Sequence, residues 1–186
     1  GGDEAAHRGD RRSASDPDGE SLRNVHDAFY LGAERSFDQD PRFGVIVLSE
    51  AAQRALSSAV NDPGTAIDAM NRMTRLLIET QQDEQSLPHL PAVARLHTRV
   101  TLVPLDESAL VFDGFDPIVR DAAGVVQVLV RQQKLLAMIA RSSRAGTVAR
   151  AARDMAARAL ARADATGALP ANERDALRAV HDQLFN

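Results

Sequence analysis

Seven polar residues near the expected ends of one amphipathic helix are the best candidates for chemistry in this chain. They are Arg35, Gln39, Asp40, Arg54, Asn61, Asp62 and Thr65. Two carboxylates beside guanidinium and amide groups could carry acid–base chemistry or hold a small polar ligand, if all of them faced one cavity. An unbroken helix over residues 41–60 would separate Asp40 from Asp62 by about 30 Å. A site that uses both aspartates therefore needs a sharp bend or a symmetric partner chain.

Helix capping is the alternative role for the same residues. Asp40 precedes Pro41, and Asp62 precedes Pro63. An aspartate at the N-cap accepts backbone N–H groups that the first turn leaves free, and a proline in that turn has no N–H to leave unsatisfied. On this interpretation, Asn61 closes the preceding helix in the left-handed conformation and Thr65 bonds locally. We favour capping, and ligand contact by this polar group stays the second interpretation.

No other combination of residues indicates catalysis. The chain has no cysteine, which removes disulfides, thiolate zinc sites and cysteine nucleophiles. Its five histidines lack the spacing of a helical metal site, and His181 on the last helix is expected to be a surface or capping residue. A glycine-rich phosphate loop is missing too. The sequence thus predicts no catalytic residue, no metal and no cofactor, and it leans against an enzyme.

The elements that would position these residues are helices. Apolar residues recur with a period near 3.6 after the first twenty positions, which predicts an all-α fold. We expect one helical-bundle domain of five or six helices over residues 21–186, preceded by a flexible polar leader over residues 1–20. A short strand or extended segment is expected near residues 96–103.

Local signals predict where several helices begin and end. Ser21 is expected to cap a helix that runs to about Glu34. Asp116 and Pro117 resemble the two earlier Asp–Pro pairs and predict the start of a third helix that runs to about Ala140, with Gly124 allowing close packing. A helix over about 145–165 should end at Gly167, and a last one should span about 170–185.

Charge is distributed unevenly along the chain. Residues 120–162 contain nine basic and two acidic residues, a net charge of +7 in a chain whose total is −4. A basic surface that meets anionic lipid headgroups or an acidic partner would use Arg141, Arg144, Arg150, Arg153, Arg158 and Arg162. The alternative is a pair of solvated arginine-rich helices, which we favour. Nucleic acid is an unlikely partner, because these arginines do not form one stripe and no reader motif accompanies them.

The polar residues also belong to a longer pattern that resembles a known family. Its first half is Arg35, Ser36, Gln39, Asp40, Phe43 and Gly44, and its second half is Arg54, Ala55, Leu56, Ser57, Asn61, Asp62, Pro63, Thr65 and Ala66. This pattern is similar to the core motif of the bacterial domain of unknown function 2254 family, with Ser58 and Ala59 in place of the usual proline and glycine. The similarity covers residues 21–140 well.

That resemblance implies a context and no activity. Members of the family are predicted integral membrane proteins, so this chain would be their soluble C-terminal part, membrane-associated in the full-length protein and on the cytoplasmic side. We therefore expect an interaction, assembly or sensing domain. Its expected partners are the transmembrane part of the same protein, a second copy, or anionic lipid headgroups. The alternative is a small-ligand receptor or enzyme that uses the polar residues at the helix ends.

Overall fold

Seven helices account for most of the chain that the structure describes. The structure is a computed structural model that describes residues 19–27, 40–83, 105–143 and 146–186. The chain divides into two units, Gly1–Arg35 and Ser36–Asn186. In the first unit, helix α1 spans Gly19–Asp27, so it begins two residues before Ser21. The rest of the helix that was predicted to reach Glu34 lies outside the described residues.

The second unit contains six helices in its described part, which confirms the all-α helical bundle. They are α2 (Pro41–Leu56), α3 (Pro63–Asp83), α4 (Glu107–Asp121), α5 (Val126–Ser142), α6 (Gly146–Thr166) and α7 (Ala171–Phe185). None of the described residues is in a strand. The extended segment predicted near residues 96–103 lies outside the described ranges.

Apolar faces of these six helices form one core. Helix α2 packs against α3 and α4, α3 packs against α5, and α5 packs against α6 and α7, while α6 also covers α4. The largest fully buried side chains come from the middle of the bundle: Met70, Met73, Phe115, Leu129, Leu136 and Met155. Helix α6 contributes mainly alanines, whose small side chains let neighbouring helices approach closely.

The prediction that Asp116 and Pro117 begin a helix is wrong. Both residues lie inside α4, whose N-cap is Asp106, with the Ala109 N–H donating to its carboxylate at 3.1 Å. An internal proline removes one helical hydrogen bond. Here the buried face runs on from Leu110 to Phe115 and past the proline, and we attribute the continuous helix to that burial.

The long helix expected from Ile118 to Ala140 is divided by a turn. Helix α4 ends at Asp121 and α5 begins at Val126. Gly124 lies exposed in this turn, and a Cβ there would meet nothing within 4 Å, so its predicted packing role is wrong. Gly114 has that role instead. A Cβ at Gly114 would lie 3.1 Å from Val45 Cγ1 and closer still to Met73 Sδ, so glycine lets α4 approach α2 and α3.

Predictions about the last two helices agree better with the structure. Helix α6 ends at Thr166, and Gly167 follows with a φ of +62°. Glycine adopts this left-handed conformation without steric cost, which explains the end of the helix. His181 of α7, however, is half-buried rather than a surface or capping residue. Its Nδ1 lies 3.0 Å from Gln133 Oε1 of α5.

Candidate functional site

Asp40, at the first end of the polar motif, is a helix cap. The Phe43 N–H donates to Asp40 Oδ1 at 3.0 Å, and Pro41 occupies the first turn, as predicted. Beside this cap, Arg42 Nε lies 2.7 Å from Asp113 Oδ2, which joins the start of α2 to the middle of α4. Arg35 and Gln39, the other predicted residues at this end, lie outside the described residues.

Asp62, at the second end, caps α3 through Thr65. The Thr65 N–H donates to Asp62 Oδ1 at 3.1 Å, and the Thr65 hydroxyl donates to Asp62 Oδ2 at 2.6 Å. These bonds hold the pKa of the Asp62 carboxyl below its ordinary value, with the hydroxyl bond as the larger cause and the backbone bond next. Both residues are exposed to solvent.

The connection between α2 and α3, residues 57–62, is called the α2–α3 corner below. Helix α2 ends at Leu56 with Ser57 as its C-cap, so it is shorter than predicted and Asn61 is not its final residue. Asn61 has a φ of +47°, which confirms the left-handed conformation. The Asp62 N–H donates to the Ala55 carbonyl at 2.8 Å and closes the corner.

Helix α2 keeps Asp40 and Asp62 apart. Its 16 residues rise about 24 Å, with Asp40 before the first turn and Asp62 after the α2–α3 corner. Arg54 faces solvent one turn from Glu50, with its Nη2 3.4 Å from a Glu50 carboxylate oxygen. The structure thus brings Asn61, Asp62 and Thr65 together at one corner and leaves Asp40 at the opposite end of the helix.

The predicted basic surface is partly occupied by contacts within the chain. Arg158 and Arg162 approach Asp116 Oδ1 at 3.6 and 3.8 Å, and Arg141 donates to the Leu184 carbonyl at 3.2 Å. Arg150 and Arg153 are exposed, and no described carboxylate pairs with either of them. Arg144 lies outside the described residues. A headgroup-binding role for these arginines stays a prediction.

A groove of about 350 Å³ between α3 and α5 is the most chemically distinctive cavity in the described part of the chain. We call it the α3–α5 groove. Its polar lining comprises Asn71, Thr74, Arg75, Glu79 and Arg131. Arg131 donates to Asn71 Oδ1 twice, from Nε at 2.9 Å and from Nη2 at 2.7 Å. Thr74 is 1% exposed, and its hydroxyl has no hydrogen-bond partner among the described residues.

Apolar side chains complete the lining of the α3–α5 groove. Ile78 is half-buried, Leu135 is buried and Met138 is 48% exposed. An exposed methionine beside a partly buried guanidinium gives this surface both an apolar and a cationic character. Such a mixed, concave lining is typical of sites for small molecules.

Sequence analysis missed this groove. In the sequence, Asn71, Arg75 and Glu79 lie on the polar face of α3, and Arg131 interrupts an otherwise apolar stretch of α5. That interruption was the available signal, because a charged residue inside a buried helical face usually has a specific partner. The partner, Asn71, lies sixty residues earlier in the chain, and the local pattern around Arg131 does not indicate it.

The described part of the chain has neither a metal-binding cluster nor a membrane-spanning helix. Within the described ranges, no group of three or more histidine, aspartate or glutamate side chains is arranged to hold a metal ion. The helices of the described segments are too short or too polar to cross a bilayer.

Comparison with known proteins places the chain in a family. Residues 5–138 match the family described as "Predicted membrane protein (DUF2254)". Over 67 residues the chain is 40% identical to uncharacterized proteins of Mycobacterium bovis and of two strains of Mycobacterium tuberculosis. That match covers 36% of this chain but only 12% of each relative. No solved structure shows significant similarity. Since the family match spans most of the chain, the protein belongs to the DUF2254 family of predicted membrane proteins.

Proposed function

We propose that this chain is a non-catalytic interaction and assembly domain of a longer bacterial membrane protein. Its docking surface is the α2–α3 corner, and its partner is the membrane-embedded part of the same protein. The observation that carries this proposal is Val60, which is 59% exposed at the tip of a corner that backbone hydrogen bonds to the Ser57 and Ala55 carbonyls hold in place. An exposed aliphatic side chain in a rigid setting can contact a partner at little entropic cost.

Hydrogen bonds at both sides of Val60 support this role. The Val60 N–H donates to the Ser57 carbonyl at 3.1 Å, and the following Asn61 N–H donates to the same oxygen at 2.8 Å. Asp62 then begins α3 through its two bonds to Thr65. The second half of the polar motif therefore positions a surface corner, and the Asp62 carboxylate is used in the cap that ends it.

The choice of partner follows from the family and from the length of the relatives. The family is described as a predicted membrane protein, and the matched segment is 12% of each curated relative. In such a protein the remaining chain is tethered to this domain. The effective concentration of the membrane-embedded part at the α2–α3 corner is therefore high. We place the domain on the cytoplasmic side as part of the same proposal.

Cysteine labelling in the longer membrane protein tests the docking surface. Because this chain has no cysteine, Val60→Cys introduces its sole thiol. We expect a maleimide, read out by mass spectrometry of the peptide that contains position 60, to label that position several-fold more slowly in the membrane protein in open membrane fragments than in the isolated 186-residue chain. Gln183→Cys, at an exposed position of α7, is the matched control and should react at equal rates in both.

Labelling and a crosslink at position 60 together decide the proposal. Equal labelling of position 60 in the two settings would contradict docking at the α2–α3 corner. If position 60 is protected, a photo-crosslinker placed there identifies the partner. A crosslinked peptide that joins position 60 to a membrane-embedded segment, in a product of monomer mass, supports the membrane-embedded part of the same chain. A product of twice that mass assigns the corner to a second copy and overturns our choice of partner.

The alternative function, a receptor or enzyme built on the polar motif, has less support from the geometry. It needs Asp40 and Asp62 to contact one ligand, whereas each of them accepts an N–H at the start of a different helix. A ligand at either end would also have to compete with those capping bonds. A sensing role does not need this motif, and the α3–α5 groove offers separate residues for it.

A further inference from the structure

We propose that the α3–α5 groove binds a singly charged amphiphile, that is, a carboxylate or phosphodiester anion with an apolar tail. This inference goes beyond the docking role above and does not depend on it, because the groove and the α2–α3 corner use different residues. The argument rests on charge, on unsatisfied donors and on the order of polar and apolar groups along the groove.

Charge at the groove favours a single negative charge. Arg131 is half-buried, and its described partner is the neutral amide of Asn71, which brings no charge to balance the guanidinium. Arg75 supplies a second guanidinium, and no described carboxylate pairs with either arginine. Glu79 is the one acidic residue in the lining, so the lining carries a net charge of +1. A monoanion would neutralise it, and a dianion would meet repulsion from Glu79.

Hydrogen-bond donors near Arg131 can recognise the oxygens of such an anion. Both Arg131 bonds use Asn71 Oδ1, which leaves the Asn71 amide nitrogen as a donor. The Thr74 hydroxyl in the same lining lacks a partner among the described residues. A buried hydroxyl without a partner is uncommon in proteins, and a bound oxygen is one way to satisfy it.

Apolar groups follow the polar ones along both helices. Ile78 comes seven residues after Asn71 on α3, and Met138 comes seven residues after Arg131 on α5, with Leu135 between them. Seven residues correspond to about 10.5 Å along a helix. The groove therefore has the half-buried Arg131 at one end and apolar side chains about two turns away, where the exposed Glu79 follows Ile78 on α3. Its volume of about 350 Å³ fits a small amphiphile, whose tail would cover the exposed Met138.

Titration with octanoate tests the site in the 186-residue chain. Octanoate has one negative charge and a tail of suitable length, and octanol is the uncharged probe. We expect octanoate to shift the amide NMR signals of Asn71, Arg131 and Met138 in a saturable way. Octanol should bind more weakly by about tenfold, because it lacks the charge that the two guanidinium groups attract.

Asn71→Asp is the decisive variant, because it should keep the fold. Its carboxylate can still accept both Arg131 bonds, now charge-assisted, while the net charge of the lining falls from +1 to zero. We expect octanoate affinity to fall by at least about tenfold. Asn172→Asp adds the same charge at an exposed position of α7 and should bind octanoate like the wild type.

Vesicles distinguish a free amphiphile from a membrane lipid as the source of the anion. Octanoate binding that Asn71→Asp weakens supports the site and a free ligand. A second outcome is that octanoate does not bind, but Asn71→Asp reduces flotation with phosphatidylglycerol vesicles. That result supports the same site with a lipid headgroup as its ligand. The proposal is overturned if neither probe distinguishes Asn71→Asp from the wild type, or if octanol binds as tightly as octanoate.

Discussion

The carboxylate of Asp62 illustrates how single residues work in this protein. It accepts two hydrogen bonds from one residue, the N–H and the hydroxyl of Thr65. The pairs Asp40–Pro41 and Asp62–Pro63 were predicted as caps because the chemistry of a helix start is local in sequence, and the structure has both caps. The same signal failed at Asp116, because the local pair does not reveal a buried face that begins earlier in the chain.

Acid should weaken the Asp62 cap. Because the folded-state pKa of this carboxyl is lowered from its ordinary value of 3.8, its contribution to stability is present above that value. The contribution is lost as the pH falls through the folded-state pKa. We therefore expect the difference in free energy of unfolding between the wild type and Asp62→Asn to be largest near neutral pH and to shrink below about pH 4. Urea unfolding followed by circular dichroism at several pH values measures it.

Thr65→Val provides the control for this prediction. It removes the hydroxyl bond, the largest cause of the lowered pKa, and keeps the backbone bond. The pH-dependent part of the Asp62 contribution should therefore be smaller in the Thr65→Val background. If the difference in free energy of unfolding between the wild type and Asp62→Asn stays constant from neutral to acid pH, Asp62 does not stabilise α3 as a charged cap.

At the scale of elements, α4 is the helix that departs most from expectation. Its N-cap is Asp106 rather than Asp116, it contains Pro117, and it ends at a turn inside the predicted long helix. Its position depends on Gly114, where it approaches α2 and α3. Periodicity placed α6 and α7 well, since an apolar stripe marks a buried face. It could not say which glycine lies at a helix crossing, because that depends on which faces meet.

Two glycine-to-alanine variants test this arrangement. Gly114→Ala places a methyl group against Met73 and Val45 in the core, so we expect a loss of about 1–3 kcal/mol in the free energy of unfolding. Gly124→Ala adds the same methyl group in open space and should change stability by less than about 1 kcal/mol. Urea unfolding of both variants makes the comparison. Equal stabilities would show that α4 does not approach its neighbours through Gly114.

For the molecule as a whole, the sequence sets where the charged residues lie along the chain, and tertiary contacts decide which of the arginines have a carboxylate partner. The segment 120–162 has a net charge of +7. Folding brings Arg158 and Arg162 to Asp116, and it leaves Arg150 and Arg153 exposed with no described carboxylate as a partner. The arginines of one helix therefore differ in how much charge they can offer to an anionic surface.

Matched arginine variants test whether that surface binds lipid. Arg150→Gln/Arg153→Gln and Arg158→Gln/Arg162→Gln remove equal charge. If anionic vesicles bind this surface, the first pair should lower binding more, by up to about fivefold per arginine. Flotation with phosphatidylglycerol vesicles at low and high salt measures the effect. Binding that is insensitive to salt, or equal losses for the two pairs, would be incompatible with the basic surface.

The sequence by itself determined the all-α fold, the two Asp–Pro caps, the left-handed Asn61 and membership of the family. Each of these follows from signals within a few turns of chain or from one continuous motif. Tertiary structure decided that Asp116 and Pro117 lie inside α4, that Gly114 rather than Gly124 packs closely, and that Arg131 meets Asn71. These outcomes depend on which helix faces meet. Helical periodicity identifies a buried face but does not identify its partner.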